Sequence, residues 1–172
     1  MVHSPDEFTR EIFTEFYRRT ASSLWAFLFR TCGDAAQADD LLQESFLKFL
    51  RARQPDMDEY QRKMYLFKIG SRLVIDGWRR SDVEKRHLAE PGDKDGGPDR
   101  EALVPDMQKT FSRLKPRERT LLWLAYVEGY SHEEMANMTG LNAKSIRVLL
   151  FRGRATLAGL LREKGYCRED QP

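Results

Sequence analysis

Cysteine is scarce in this chain of 172 residues: Cys32 and Cys167 are the only two, far apart and without a CxxC or Cys/His spacing. That spacing excludes a disulfide framework and a cysteine-based metal site, and two reduced thiols are expected. Long apolar runs are missing as well, since no stretch approaches the roughly 18 residues that a membrane helix needs. The opening residues, Met1-Val2-His3-Ser4-Pro5-Asp6-Glu7, have neither a basic n-region nor an apolar h-region. A chain without a signal peptide, located in the cytoplasm and away from the membrane, is therefore expected. Histidine occurs only at His3, His87 and His132, and none stands near a nucleophile motif, a metal spacing or a glycine-rich phosphate loop. No enzymatic activity, metal or cofactor is expected.

What the chain does have is charge, at 33% of residues against 41% hydrophobic. That balance allows a buried core under a heavily charged surface and argues against disorder. The net charge of +2 conceals segregation. Acids dominate the first third, and basic residues gather in Arg62 to Arg86 and again in Lys144 to Arg168. Alternation by segment points to several partners of opposite sign.

Strand-like alternation is absent and helix punctuation is frequent, so the fold class is all-α. Ser4-Pro5-Asp6-Glu7 reads as a capping box with proline in the first turn. Phe8, Ile12, Phe16, Thr20, Leu24 and Phe27 then form one apolar stripe, ended by Gly33. Asp34 and Gln37 open a second helix with Ala38, Leu41, Leu42, Ser45, Phe46 and Phe49 inward, and Pro55 breaks it. A third helix is expected from about Asp58 to His87. Its aromatics (Tyr60, Tyr65, Phe67 and Trp78) alternate with Arg62, Lys63, Lys68, Arg72, Arg79 and Arg80. That mixture suits single-stranded DNA, but the residue pattern alone favours most of the aromatics as core.

Between Ala89 and Pro105 the composition changes. Pro91-Gly92-Asp93-Lys94-Asp95-Gly96-Gly97-Pro98 has no apolar side chain and is expected to be a flexible linker. It separates two small helical domains, each of marginal stability by itself. The boundaries are 5–88 for a three-helix unit, 89–105 for the linker and 106–165 for the second unit. There, Lys115-Pro116-Arg117-Glu118 restarts a helix, and Gly129 stops it. Ser131-His132-Glu133-Glu134 is another capping box, Gly140 ends a short helix, and Asn142 caps a long basic one. This is the punctuation of a helix-turn-helix, in which the first helix braces the second against a major groove. With Ile146, Leu150, Gly153, Leu157 and Leu161 inward, Arg147, Phe151, Arg152 and Arg154 lie on or beside the outer face. There, arginine can fork onto guanine edges or phosphates, and Phe151 can touch a thymine methyl.

Three sets of residues carry a family resemblance. Asp39-Asp40-Leu41-Leu42-Gln43-Glu44-Ser45-Phe46 resembles the region 2.2 motif of bacterial RNA polymerase sigma factors. Lys68-Ile69, Leu73-Val74-Ile75-Asp76 and Arg79-Arg80 are similar to regions 2.3 and 2.4. Leu114 to Arg119, Glu128 to Ala136 and Arg152-Gly153-Arg154 resemble region 4. In this order, with only a short linker between, they resemble the extracytoplasmic-function group of the sigma-70 family. The resemblance implies that Asp40, Leu41, Gln43 and Glu44 bind core RNA polymerase at its clamp coiled coil, with the flap as a further contact. It implies that Tyr65, Lys68, Arg72, Asp76, Arg79 and Arg80 engage −10 promoter DNA, and that the loop at about 53–61 holds a flipped base. Lys144, Ser145, Arg147, Val148, Phe151, Arg152 and Arg154 would read the −35 duplex. An anti-sigma factor is the further partner it implies.

The chain departs from the family pattern at four positions. Arg72 stands where asparagine is common, and Gly77 where a bulky residue is usual. Val148 and Leu149 stand where small polar residues and arginine are common. A stand-alone helix-turn-helix regulator is the alternative reading, and it leaves the Asp39–Glu44 motif without a role.

Overall fold

The computed structural model describes residues 10–52, 57–87 and 105–166. Seven α-helices make up the regular structure among them. These are α1 (Arg10–Cys32), α2 (Ala35–Arg51), α3 (Glu59–His87), α4 (Pro105–Ser112), α5 (Pro116–Tyr126), α6 (His132–Thr139) and α7 (Ala143–Glu163). The expected box at Ser4–Glu7, the break at Pro55 and the linker at Pro91–Pro98 lie outside the described residues.

The helix ends follow local chemistry. Gly33 closes α1 in the left-handed conformation, φ 83°, and its N–H donates to the Phe29 carbonyl at 2.9 Å. A Cβ is unfavourable there, which suits glycine. Asp34 immediately restarts the chain by accepting the Gln37 N–H on its carboxylate at 2.7 Å. At α3, Asp58 and Gln61 cap each other reciprocally: the Asp58 carboxylate accepts the Gln61 N–H at 2.8 Å, and the Gln61 side-chain Oε1 accepts the Asp58 N–H at 3.0 Å. Pro116 opens α5, and the Glu118 carboxylate reaches back to the Lys115 N–H at 3.1 Å.

In the first half, α1, α2 and α3 pack on one another through an aromatic seam. Phe16 stacks on Phe49 at 5.1 Å, and Phe27 lies 5.5 Å from Phe67. The α2 stripe falls as its spacing dictates, with Ala38, Ser45, Phe46 and Phe49 buried and Leu41 and Leu42 half-buried against them. On α1 the same holds for Phe16, Thr20, Leu24 and Phe27 but not for Ile12, which is 44% exposed. Ile12 sits near the start of α1, at the rim of the seam that Phe16 and Phe49 form.

In the second half, α5, α6 and α7 pack on one another, and their core is continuous with that of the first half. One buried apolar cluster runs from Phe16 through Phe67 to Tyr130, Met135 and Leu150. Phe67 is the shared side chain: it faces Phe27 on one side and Tyr130, at 6.4 Å, on the other. Each such buried ring is worth about 1.5–3 kcal/mol, so the contact between halves is a substantial part of the core. Helix α6 lies on α3, and α5 lies on both α1 and α3. At the α1–α5 contact Arg119 is buried. Its Nη1 donates to the Arg30 carbonyl at 3.4 Å, while its Nε has no partner. Burial pulls the guanidinium below the usual arginine range.

Candidate protein and nucleic-acid interfaces

The recognition element is built from its brace outward. The Ser131 hydroxyl accepts the Glu134 N–H at 3.2 Å, and the Glu134 carboxylate accepts the Ser131 N–H at 2.8 Å. This closes the capping box expected from the sequence. Gly140, φ 74°, ends α6, and the Asn142 side chain accepts the Ser145 N–H at 2.7 Å to open α7. Ile146 and Leu150 are buried, and Gly153 sits against α5. A Cβ at Gly153 would stand 3.5 Å from a Leu122 methyl, so the glycine allows close approach without demanding it.

That inward stripe fixes the rotation of α7. Lys144, Arg147, Val148, Phe151, Arg152 and Arg154 are exposed, and Phe151 is 65% exposed. Ser145 is half-buried, with its N–H taken by the Asn142 cap. The Arg154 Nη1 turns back to the Tyr126 hydroxyl at 2.9 Å. A large, bare aromatic ring among cations is costly on a surface that stays in water, and it suits a partner with apolar groups inside an anionic frame. Val148 and Leu149 divide: Val148 faces solvent, whereas Leu149 packs against the core.

On α2, Asp40, Gln43 and Glu44 form one exposed face, while Leu41 is half-buried on the core. Glu44 pairs with Lys48 at 3.2 Å, a weak surface bridge, and the Trp25 indole N–H donates to Asp39 at 2.7 Å. Two residues that the motif reading missed extend this face. Leu47 and Leu50 are 51% and 48% exposed, beside the acids. Their signal was present, because neither belongs to the inward stripe of α2. An acidic, partly apolar face of this kind fits a basic protein partner better than DNA.

The third candidate surface is α3. Arg72, Asp76, Arg79 and Arg80 are exposed along it, with Asp76 3.8 Å from Arg79. Tyr65 is half-buried, tilted against Phe49 at 6.1 Å. The favoured core reading holds for Phe67, which is buried, and not for Tyr60, which stays half exposed. Nothing lies within 4 Å of where a Cβ at Gly77 would stand, so no close approach demands glycine there.

Lys68 is not free: its Nζ donates to the Asn137 side chain on α6 at 2.7 Å. Burial first, and Arg72 second, hold its ammonium below the usual lysine range. Two more ties flank it. Lys63 pairs with Glu128 at 2.8 Å, and the Tyr60 hydroxyl donates to Glu134 at 2.7 Å. Sequence spacing could not reveal these, because the partners are about seventy positions apart.

His132 is exposed at the start of α6, inside the capping box. Among the described residues no three His, Cys, Asp or Glu side chains come together as a metal site, and no helix is long and apolar enough to cross a membrane.

Comparison with known proteins agrees with this layout. The family described as sigma-70 region 2 matches residues 16–83, and the family described as sigma-70 region 4 matches residues 106–157. The sequence is 28% identical over 159 residues to the ECF RNA polymerase sigma factor SigE of Mycolicibacterium smegmatis, covering 86% of this chain and 60% of that protein. It is 25% identical over 163 residues to SigL of Mycobacterium tuberculosis, covering 88% and 90%. The RNA polymerase sigma factor CarQ of Myxococcus xanthus is 28% identical over 164 residues, with 90% and 91% covered. In fold, the chain is similar to the sigma factor RpoE solved with the anti-sigma factor NepR from Bartonella quintana. The TM-score is 0.67 at 20% identity, over 88% of this chain and 98% of that one. It is also similar to CnrH, solved with the cytosolic domain of CnrY, at a TM-score of 0.62 and 23% identity, over 91% of each chain.

Proposed function

The chain belongs to the sigma-70 family, in its extracytoplasmic-function group, and we propose that it directs core RNA polymerase to promoters through three separate surfaces. The observation that carries this reading is the combination of an acidic, exposed α2 face with a cation-rimmed α7, on the two segments that match regions 2 and 4 in order. Asp40, Gln43 and Glu44, with Leu47 and Leu50, dock on the basic clamp coiled coil. Leu41 supports them from the core side, and the flap is a second polymerase contact. Lys144, Arg147, Val148, Phe151 and Arg152 read the −35 duplex. Ser145 sets the start of their helix, and Arg154 lies at their edge. Lys68, Arg72, Asp76, Arg79 and Arg80 engage the −10 element, with Tyr65 supporting them from the core. The segment expected as a loop at about 53–61 ends in the first turn of α3, which begins at Glu59, and the part before it takes a flipped base; residues 53–56 lie outside the described residues.

The protein works by binding and not by catalysis, in the cytoplasm where polymerase is. An anti-sigma factor is its inhibitory partner, a reading supported by the neighbours solved with NepR and CnrY. A stand-alone DNA-binding regulator would leave the match over residues 16–83 without a function. The domain boundaries at 5–88, 89–105 and 106–165 belong to the same proposal.

Charge reversal on α2 tests it. Asp40→Lys with Glu44→Lys puts cations against a basic surface, and the side chains are exposed, so helicity by circular dichroism stays unchanged. Capture by core polymerase should fall at least about tenfold, a loss of roughly 1.4 kcal/mol. Undiminished capture overturns the assignment.

A further inference from the structure

We infer that Tyr126, at the end of α5 and outside the helix-turn-helix, joins Arg154 to form a binding site for one phosphodiester of the promoter backbone. The inference rests on the reading in which α7 lies on the −35 duplex, and it adds a contact from a helix that the recognition stripe does not include.

Packing brings the two side chains together. Glu118, Leu122 and Tyr126 recur at four-residue spacing, so they share one row of α5. Gly153 lies against that row: a Cβ there would stand 3.5 Å from Leu122 and 3.7 Å from Glu118. One residue on, Arg154 leaves the packed side of α7, and its Nη1 donates to the Tyr126 hydroxyl at 2.9 Å. Arg154 also belongs to the outer row, since Arg147, Phe151 and Arg154 follow one another at four- and three-residue spacing. Tyr126 thereby stands at the rim of the surface that Phe151 presents.

The chemistry of the pair is that of an anion site. A phenol hydroxyl both donates and accepts. Having accepted from Arg154, the Tyr126 hydroxyl keeps its proton to donate. A guanidinium has only donors, arranged as a fork, and Tyr126 takes one of them. Among the described residues Arg154 has no carboxylate partner. Glu118, the acid of the same α5 row, turns its carboxylate to the Lys115 N–H at the opposite end of the helix. A phenol proton and guanidinium N–H groups, side by side and with the positive charge unneutralised, match the oxygens of a phosphate.

Exposure agrees with this. Tyr126 is 60% exposed and the adjoining Val127 59%. A bare ring and an isopropyl group beside a cation fit the sugar next to that phosphate. Phosphate contacts fix register and carry no sequence information, so the pair should set affinity and leave base preference alone.

Binding is measured with the protein held by core polymerase, on duplex carrying the −35 element that the wild-type complex selects from random sequence. Tyr126→Phe should weaken it about fivefold with the selected sequence unchanged. Arg154→Gln should weaken it about tenfold and lower the slope of log K against log salt by about 0.9, the share of one phosphate. In the Arg154→Gln background, Tyr126→Phe should cost less than about twofold, because both side chains act on one group. Replacing the backbone phosphates one at a time by neutral methylphosphonates locates it. One position should weaken wild type and leave Tyr126→Phe with Arg154→Gln unaffected. Additive losses, no such position, no loss in Tyr126→Phe, or a changed base preference in it each overturn the inference. Arg147→Ala with Arg152→Ala separates the two readings. If that pair binds as wild type does, the placement of α7 on DNA is what fails. If it weakens binding while Tyr126→Phe and Arg154→Gln do not, the placement stands and the phosphate site falls.

Discussion

Leu149 packs into the core from α7 while its neighbour Val148 points into solvent, so two adjacent departures from the family pattern have opposite consequences. Val148→Arg adds a cation to the outer stripe. Binding of −35 duplex by the polymerase-bound protein should strengthen, and the slope of log K against log salt should steepen by about 0.9. A salt titration with an unchanged slope would place Val148 away from DNA. Leu149→Arg forces a charge toward apolar neighbours and should cost about 2 kcal/mol in chemical denaturation. Arg119 presents the reverse case, a charge already inside with one nitrogen unpaired. Arg119→Met keeps much of the volume and removes the buried charge, so stability should rise by about 1 kcal/mol, read as a higher denaturation midpoint. The exposure of Val148 and Phe151 was legible from the inward spacing of Ile146, Leu150 and Gly153. The burial of Arg119 was not, because α5 carries apolar residues around most of its circumference and its pattern names no single inward face.

Helix α6 is eight residues long and depends on its cap. The Glu134 carboxylate is held below the usual range, first by the Ser131 N–H and then by the Tyr60 hydroxyl. A depressed folded-state pKa contributes stability above the unfolded value, near 4.3 for glutamate, and loses it as pH falls through the folded value. Acid should therefore loosen α6 and its tie to α3 together. Glu134→Gln should flatten the pH dependence of stability below about pH 4.5; an identical acid slope in the variant would assign that slope to other carboxylates. Elements of this kind were readable almost to the residue, because Ser131, Gly140 and Asn142 act on backbone groups only a few positions away. The long third helix was readable as a helix, but its division into a core face and a face for region 4 was not. Phe67 and Tyr60 alternate with lysine and arginine, and a partner supplied by Glu128, Glu134 and Asn137 leaves no periodic mark.

For the molecule as a whole, the shared cluster around Phe67 and Tyr130 makes the halves one cooperative unit. Heating should give a single transition, with far-ultraviolet circular dichroism and tryptophan fluorescence coincident, since Trp25 and Trp123 report from opposite halves. In a Glu128→Lys, Asn137→Lys variant, which sets like charges against Lys63 and Lys68, the two probes should separate. Hydrophobic spacing predicted two small units and the surfaces each would show. It could not predict that they face one another, because a pattern names an inward face without naming what lies inside it. Since α3 and α6 belong to one chain, their encounter is first order. Covalent connection within one chain gives each half an effective local concentration on the order of millimolar. The closed fraction is then the same whether a cell holds ten copies or ten thousand. Raising expression alone cannot pry the protein open, and the competing dose that matters is that of unoccupied polymerase.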